Sequence, residues 1–117
     1  MAKQKWQYQS GRWYRFLLGQ DPINDFPPHI NFPGTYAVFI GNECFYIGQS
    51  VDILKRLKNH IRMARFTSTW KTPWGYYPRI LIAVRRERFR YERLAVEKRL
   101  IEKFRPKYNV LLKNNNE

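Results

Sequence analysis

A chain of 117 residues is long enough to bury one hydrophobic core and too short for a second domain of ordinary size. Its 22 Lys and Arg against 9 Asp and Glu leave a formal charge of +13, which attracts polyanions and points to nucleic acid, whose phosphates reward clustered cations, with a ribosome-like or merely soluble basic protein as the alternative and a membrane surface disfavoured. The single cysteine excludes an intrachain disulfide and a cysteine-rich zinc site, and with no apolar run of membrane-spanning length and no apolar leader after Met1, a reducing cytoplasm is expected.

Residues 1–32 mix basic and aromatic side chains (Trp6, Tyr8, Arg12, Trp13, Tyr14, Arg15, Phe16) and close in a Pro-rich stretch from Asp21-Pro22 through Pro27-Pro28 to Pro33. They read as an arm or short helix followed by an extended linker. Residues 1–33 are thus expected to precede a domain over 34–112, with 113–117 fraying. The 8 Phe, 8 Tyr and 4 Trp are more ring surface than so small a core needs, so some rings should meet solvent or a ligand.

From Thr35 to Ile40 the residues are mostly β-branched or aromatic, break at Gly41-Asn42, and resume as Cys44-Phe45-Tyr46-Ile47, which predicts a β-hairpin. A two-residue turn would pair Ile40 with Glu43 and put Tyr36 and Tyr46 on opposite faces. A three-residue loop over Gly41-Asn42-Glu43 would pair Ile40 with Cys44 and bring both rings to one face. The longer loop is expected, because Glu43 is poor core material.

Val51, Leu54, Leu57, Ile61 and Ala64 stand at helical spacing over 51–64, with Ser50 available as N-cap. Residues 66–78 carry two prolines and a glycine among aromatics and read as a loop, and Ile80–Val84 as a buried strand. A second helix is predicted over Tyr91–Phe104, with Leu94, Ala95, Ile101 and Phe104 along one side and Pro106 ending it. The tail Tyr108–Leu112 is apolar enough to dock on the core. This order predicts an α+β fold, a small three-stranded antiparallel sheet (an N-terminal β-hairpin plus a third strand) flanked by helices.

Glu97 falls between Leu94 and Ile101 on one side of the second helix and Phe104 on the other. A carboxylate withdrawn from water needs a cation, whether Lys, Arg or a divalent ion, and Lys98 is near enough to be considered. Arg56 and His60 are one turn apart on the first helix, a pairing suited to phosphate recognition and proton handling but equally found on solvated faces. Tyr36 and Tyr46 could be a functional pair or ordinary packing residues.

Taken together these residues resemble the GIY-YIG nuclease superfamily, which includes homing endonucleases, some restriction enzymes and the incision module of bacterial nucleotide-excision repair. The two signatures are Gly34-Thr35-Tyr36 and Tyr46-Ile47-Gly48. Arg56 and His60 follow in the family's helix, Glu97 opens Glu97-Lys98-Arg99-Leu100-Ile101, and Pro106 and Asn109 match the closing Pro and Asn. The resemblance implies the GIY-YIG fold and hydrolysis of DNA phosphodiester bonds through a single active site. It implies one divalent ion, Mg²⁺ or alternatively Mn²⁺, held mainly by Glu97 and water, and no small-molecule cofactor. It assigns Tyr36 as general base with help from His60, Arg56 to the developing phosphorane charge, Tyr46 to orienting phosphate or water, and Asn109 to buttressing the metal site.

DNA is the expected partner, bound by a monomer or dimer without a membrane, in the cytoplasm of a bacterium or from a phage. Lys55, Lys58, Arg62, Arg65, Trp70, Lys71 and Trp74 are the expected contacts, although Trp70 and Trp74 could instead pack against the arm. Homing enzymes of this kind usually carry a separate DNA-binding domain, and the chain stops soon after Asn109. Target preference is therefore expected from the arm, the 66–78 loop, dimerisation or another protein. The rival reading is a catalytically silent nucleic-acid-binding module using the same basic face.

Overall fold

Two of the most apolar segments form adjacent strands at the centre of a sheet in the computed structural model, which describes residues 8–17, 26–62, 80–106 and Asn109, apart from the side chains of Pro28, His60, Ile61 and Arg62. In chain order the elements are β1 (Trp13–Leu17), a 3₁₀ turn (Pro28–Ile30), β2 (Gly34–Ile40), β3 (Glu43–Ser50), α1 (Ile53–Arg62), β4 (Ile80–Arg86) and α2 (Arg90–Phe104). The strand order is β1-β4-β2-β3, every pair antiparallel. The α+β architecture is as expected, with four strands instead of three. The additional strand, β1, comes from the segment read as an arm or short helix. It is an edge strand with one partner, Trp13 opposite Arg85 and Leu17 opposite Leu81, and although four of its five residues are apolar or aromatic, so short a run does not distinguish strand from helix by periodicity.

Central strands covered on both faces lose the alternation of half-buried ones and read as continuous apolar runs. One face carries Tyr36, Val38, Tyr46, Ile82 and Val84, packed with Ile53 and Leu57 of α1 and with Phe26, Ile30 and Phe32. The other carries Ala37, Ile47 and Ala83 against Leu100 and Ile101 of α2. At Gly34 a Cβ would press on the Arg85 carbonyl and meet Ile53 Cδ1 at 2.9 Å, so the β2–β4–α1 junction requires the absent side chain.

The hairpin turn differs from expectation. It has two residues: Ile40 pairs with Glu43, and Gly41 takes φ 64° at the first central position, where a two-residue turn demands a glycine. The register then shifts between Val38 and Phe39, so that Phe39 faces Cys44 while Val38 faces Tyr46, leaving Phe45 as an extra residue on β3. That bulge restores the parity that the short turn would have lost.

Both helices also pack differently from the predicted stripes. In α1 Leu57 is buried and Leu54 packs against the core as expected, Ile53 joins them, and Val51 precedes the helix in solvent; the side chain of Ile61 and all of Ala64 lie outside the described residues. The N-cap is Asp52, whose Oδ1 accepts the Lys55 N–H at 3.1 Å. Ser50 instead folds the turn before it, its Oγ accepting from the Asp52 N–H at 3.0 Å. In α2 the inward line is Arg93, Val96, Glu97, Leu100 and Ile101, and Leu94 and Ala95 point outward. Phe104 is partly exposed but meets Phe39 edge-on at 6.1 Å. The helix ends at Arg105, which takes the left-handed conformation and donates its N–H to the Ile101 carbonyl at 2.8 Å before the buried Pro106.

Candidate active site

The bulge places Tyr36 and Tyr46 on one face, their ring centroids 6.0 Å apart. Gly48 lies directly opposite Tyr36 in the β2–β3 register. A Cβ at Gly48 would stand 2.5 Å from Tyr36 Oη and 2.9 Å from Tyr46 Cε2, so the glycine makes the floor on which both rings lie. Tyr36 is fully buried and Tyr46 nearly so.

From α1 the Arg56 guanidinium reaches both phenols and hydrogen-bonds to each, and the phenols interact with one another. Burial pushes the Tyr36 hydroxyl well above the ordinary tyrosine range, and the neighbouring Tyr46 adds to the rise, outweighing the opposite pull of Arg56. Burial also raises Tyr46, against the lowering effect of Arg56. Both therefore carry their protons at neutral pH.

Glu97 of α2 stands on the same cluster, close enough to raise Tyr46 electrostatically and to be drawn down by Arg56. Its carboxyl is half-buried, and desolvation outweighs Arg56 to leave it raised above the usual carboxylate range. Among the described residues it forms no ion pair, and Lys98 points outward, so neither the salt bridge nor the lysine partner considered from sequence is found there. No group of three or more His, Cys, Asp or Glu capable of holding a metal occurs among the described residues. A divalent ion at this place would have Glu97 as its anionic protein ligand. One half-buried, uncommitted carboxylate suits Mg²⁺, which keeps several of its waters.

Asn109 is tied to the backbone next to Tyr46: its Nδ2 donates to the Ile47 carbonyl and its Oδ1 accepts the Ile47 N–H, each at 2.8 Å. Because β3 is an edge strand, this carboxamide takes the place of a further strand at Ile47. Of the expected DNA contacts, Lys55 is exposed on α1 and Lys58 is half-buried there. His60 and Arg62 belong to α1 by their backbone, and their side chains lie outside the description. Arg65, Trp70, Lys71 and Trp74 lie outside the described residues, as do Tyr108 and residues 110–117.

Several supporting residues escaped the sequence reading. Buried Arg93, one turn before Glu97, donates to Gln49 Oε1 at 3.0 Å, to the Arg88 carbonyl at 2.9 Å and to the Glu87 carbonyl at 3.4 Å, fixing α2 to β3. Glu87, also buried, accepts from Arg85 Nε at 2.6 Å. The i, i+4 spacing of Arg93 and Glu97 was the available signal, obscured because Arg is ordinarily a surface residue.

The tyrosine pair bridged by arginine lies beside a carboxylate that has no ion pair among the described residues, and the GIY-YIG catalytic domain family matches residues 32–109. The chain belongs to the GIY-YIG nuclease family. It is similar to UvrABC system protein C of Aquifex aeolicus, 33% identical over 81 residues, covering 69% of this chain and 14% of that protein. The protein of the same name from Agrobacterium fabrum is 30% identical over 121 residues, 93% of this chain and 15% of the relative. That of Hydrogenobaculum sp. is 33% identical over 82 residues, 70% and 14% respectively. The chain thus spans about a seventh of the length of these relatives. No solved structure matches it significantly. No helix among the described residues is long and apolar enough to cross a membrane.

Proposed function

We propose that this GIY-YIG domain is a divalent-metal-dependent endonuclease that hydrolyses DNA phosphodiester bonds at one site. The observation that carries the reading is Arg56 bonded to both Tyr36 and Tyr46 with the uncommitted carboxylate of Glu97 alongside. The guanidinium, held by two phenols, is oriented before substrate arrives and meets the negative charge that develops on the phosphorus oxygens. Tyr46, the less deeply buried phenol, is positioned to hydrogen-bond a phosphate oxygen or the attacking water.

Tyr36 fits the role of general base poorly, because a fully buried phenol with a raised pKa neither loses its proton at neutral pH nor readily meets water. We assign it to holding Arg56 and Tyr46. We assign the water's proton to His60, one turn beyond Arg56 on α1, because imidazole is the side chain best suited to accept a proton near neutral pH. Glu97 would hold Mg²⁺ or Mn²⁺, and such an ion, when bound, supplies charge neutralisation at the phosphate and leaving oxygen. Asn109 acts on the site by fixing β3 beside Tyr46.

Supercoiled plasmid incubated with the protein and Mg²⁺ should be converted to nicked or linear DNA, with EDTA suppressing the reaction. Retarded plasmid without any scission would favour the silent binding module instead.

A further inference from the structure

Residues 85–93, from the end of β4 into the first turn of α2, hold five arginines, and three of them are engaged in the fold. Arg85 is paired with Glu87, Arg86 lies 5.6 Å from the Phe32 ring centre, and Arg93 is buried on Gln49 and two carbonyls. Arg88 and Arg90 are exposed and form no ion pair among the described residues. Between and beside them Phe89 and Tyr91 stack at 5.8 Å with only 22° between their planes, and the Arg88 guanidinium lies 5.6 Å from the Phe89 ring centre. This stack is not core: Phe89 is 49% exposed and Tyr91 72%.

We propose that Arg88, Phe89 and Tyr91 form a platform on which an unpaired nucleobase of the DNA substrate stacks, an inference that rests on the nuclease reading above. Tyr91 is covered by Phe89 on one side and mostly open otherwise, so an aromatic ring arriving there would extend an existing stack. Exposed rings flanked by two arginines that have no ion pair among the described residues match a nucleobase on its phosphate chain, in a molecule whose charge of +13 already selects polyanions. A base inside a duplex has both faces covered by its neighbours, so only an unpaired or splayed base can use the platform. Tyr91 and Glu97 share α2 six residues apart, about 9 Å along the helix axis and about 120° around it, so a strand running from the cut to the platform passes around the N-terminal part of α2. The substrate class selected is DNA carrying an unpaired segment beside the cut.

The test uses the whole chain and a DNA duplex with a single-stranded arm containing a fluorescent adenine analogue whose emission falls on stacking, in EDTA so that no strand is cut. Wild type and Tyr91→Trp should quench the analogue. Tyr91→Ala should abolish the quenching and bind the armed duplex at least about fivefold more weakly, with a smaller loss on a blunt duplex of equal length. Unquenched emission with wild type, undiminished quenching with Tyr91→Ala, or equal losses on both DNAs would overturn the platform. Plasmid scission in Mg²⁺ is scored separately. Quenching without scission leaves the platform and removes the nuclease reading, whereas scission without quenching does the reverse.

Discussion

A carboxylate half-withdrawn from water without a salt-bridge partner among the described residues is unfavourable for folding and well suited to a cation, and Glu97 is in that position. Burial raises its pKa in the folded protein, so the folded state holds this proton more tightly than the unfolded chain. Stability from this group therefore falls as pH rises from the ordinary carboxylate range through the raised value, and the penalty is fully present at neutral pH. Glu97→Gln should consequently melt at or above the wild-type temperature at pH 7 without metal, with the difference vanishing below about pH 4, while losing metal-dependent cleavage. Thermal denaturation at the two pH values checks this, and a lower melting temperature at pH 7 would show Glu97 to be a structural partner. Gly48 makes the opposite case, a residue whose missing side chain matters. Gly48→Ala should cost roughly 1–3 kcal/mol in urea denaturation and most of the cleavage activity, since Tyr36 Oη and Tyr46 must both yield to the new methyl.

At the level of elements, the hairpin shows how one extra residue decides which face receives a functional group. The two-residue turn at Gly41-Asn42 would by itself send Tyr46 to the face opposite Tyr36, and the bulge at Phe45 reverses that. Sequence reading identified the requirement that the rings share a face but assigned it to a longer loop. A turn glycine is conspicuous in a sequence, whereas a bulge made by a phenylalanine looks like any other strand residue. The predicted α2 stripe missed for a related reason: Leu94 and Ala95 are apolar and exposed, while Arg93 is charged and buried through hydrogen bonds that no hydropathy pattern encodes. Asn109 belongs to this scale too, because its two hydrogen bonds complete the edge of β3. Asn109→Ala should lower stability by about 1–2 kcal/mol in urea denaturation and reduce kcat more than it raises KM. An unchanged urea midpoint together with unchanged kcat would remove Asn109 from the account.

Across the molecule, the sheet holds a helix on each face, and the site draws Tyr36 from β2, Tyr46 from β3, Arg56 from α1 and Glu97 from α2. Strand and helix order was legible because β2 and β4 are apolar runs and each helix carries some apolar residues that pack on the sheet, and Glu97 drew notice as a carboxylate among apolar neighbours in sequence. β1 was not, for its partner lies about seventy residues away in sequence and supplies the pairing that its own five residues do not advertise. The supporting contacts of Arg93 and Asn109 were similarly hidden, being side-chain bonds to distant backbone and to Gln49. Glu97 is proposed to serve the chemistry of a DNA-cutting site and not the holding of DNA. The most direct measurement compares wild type and Glu97→Ala on one DNA substrate, recording the cleavage rate in Mg²⁺ and the affinity in EDTA. Cleavage should be abolished in Glu97→Ala while affinity changes less than about threefold, since one carboxylate contributes little to binding phosphates. Cleavage by Glu97→Ala at the wild-type rate would contradict that role.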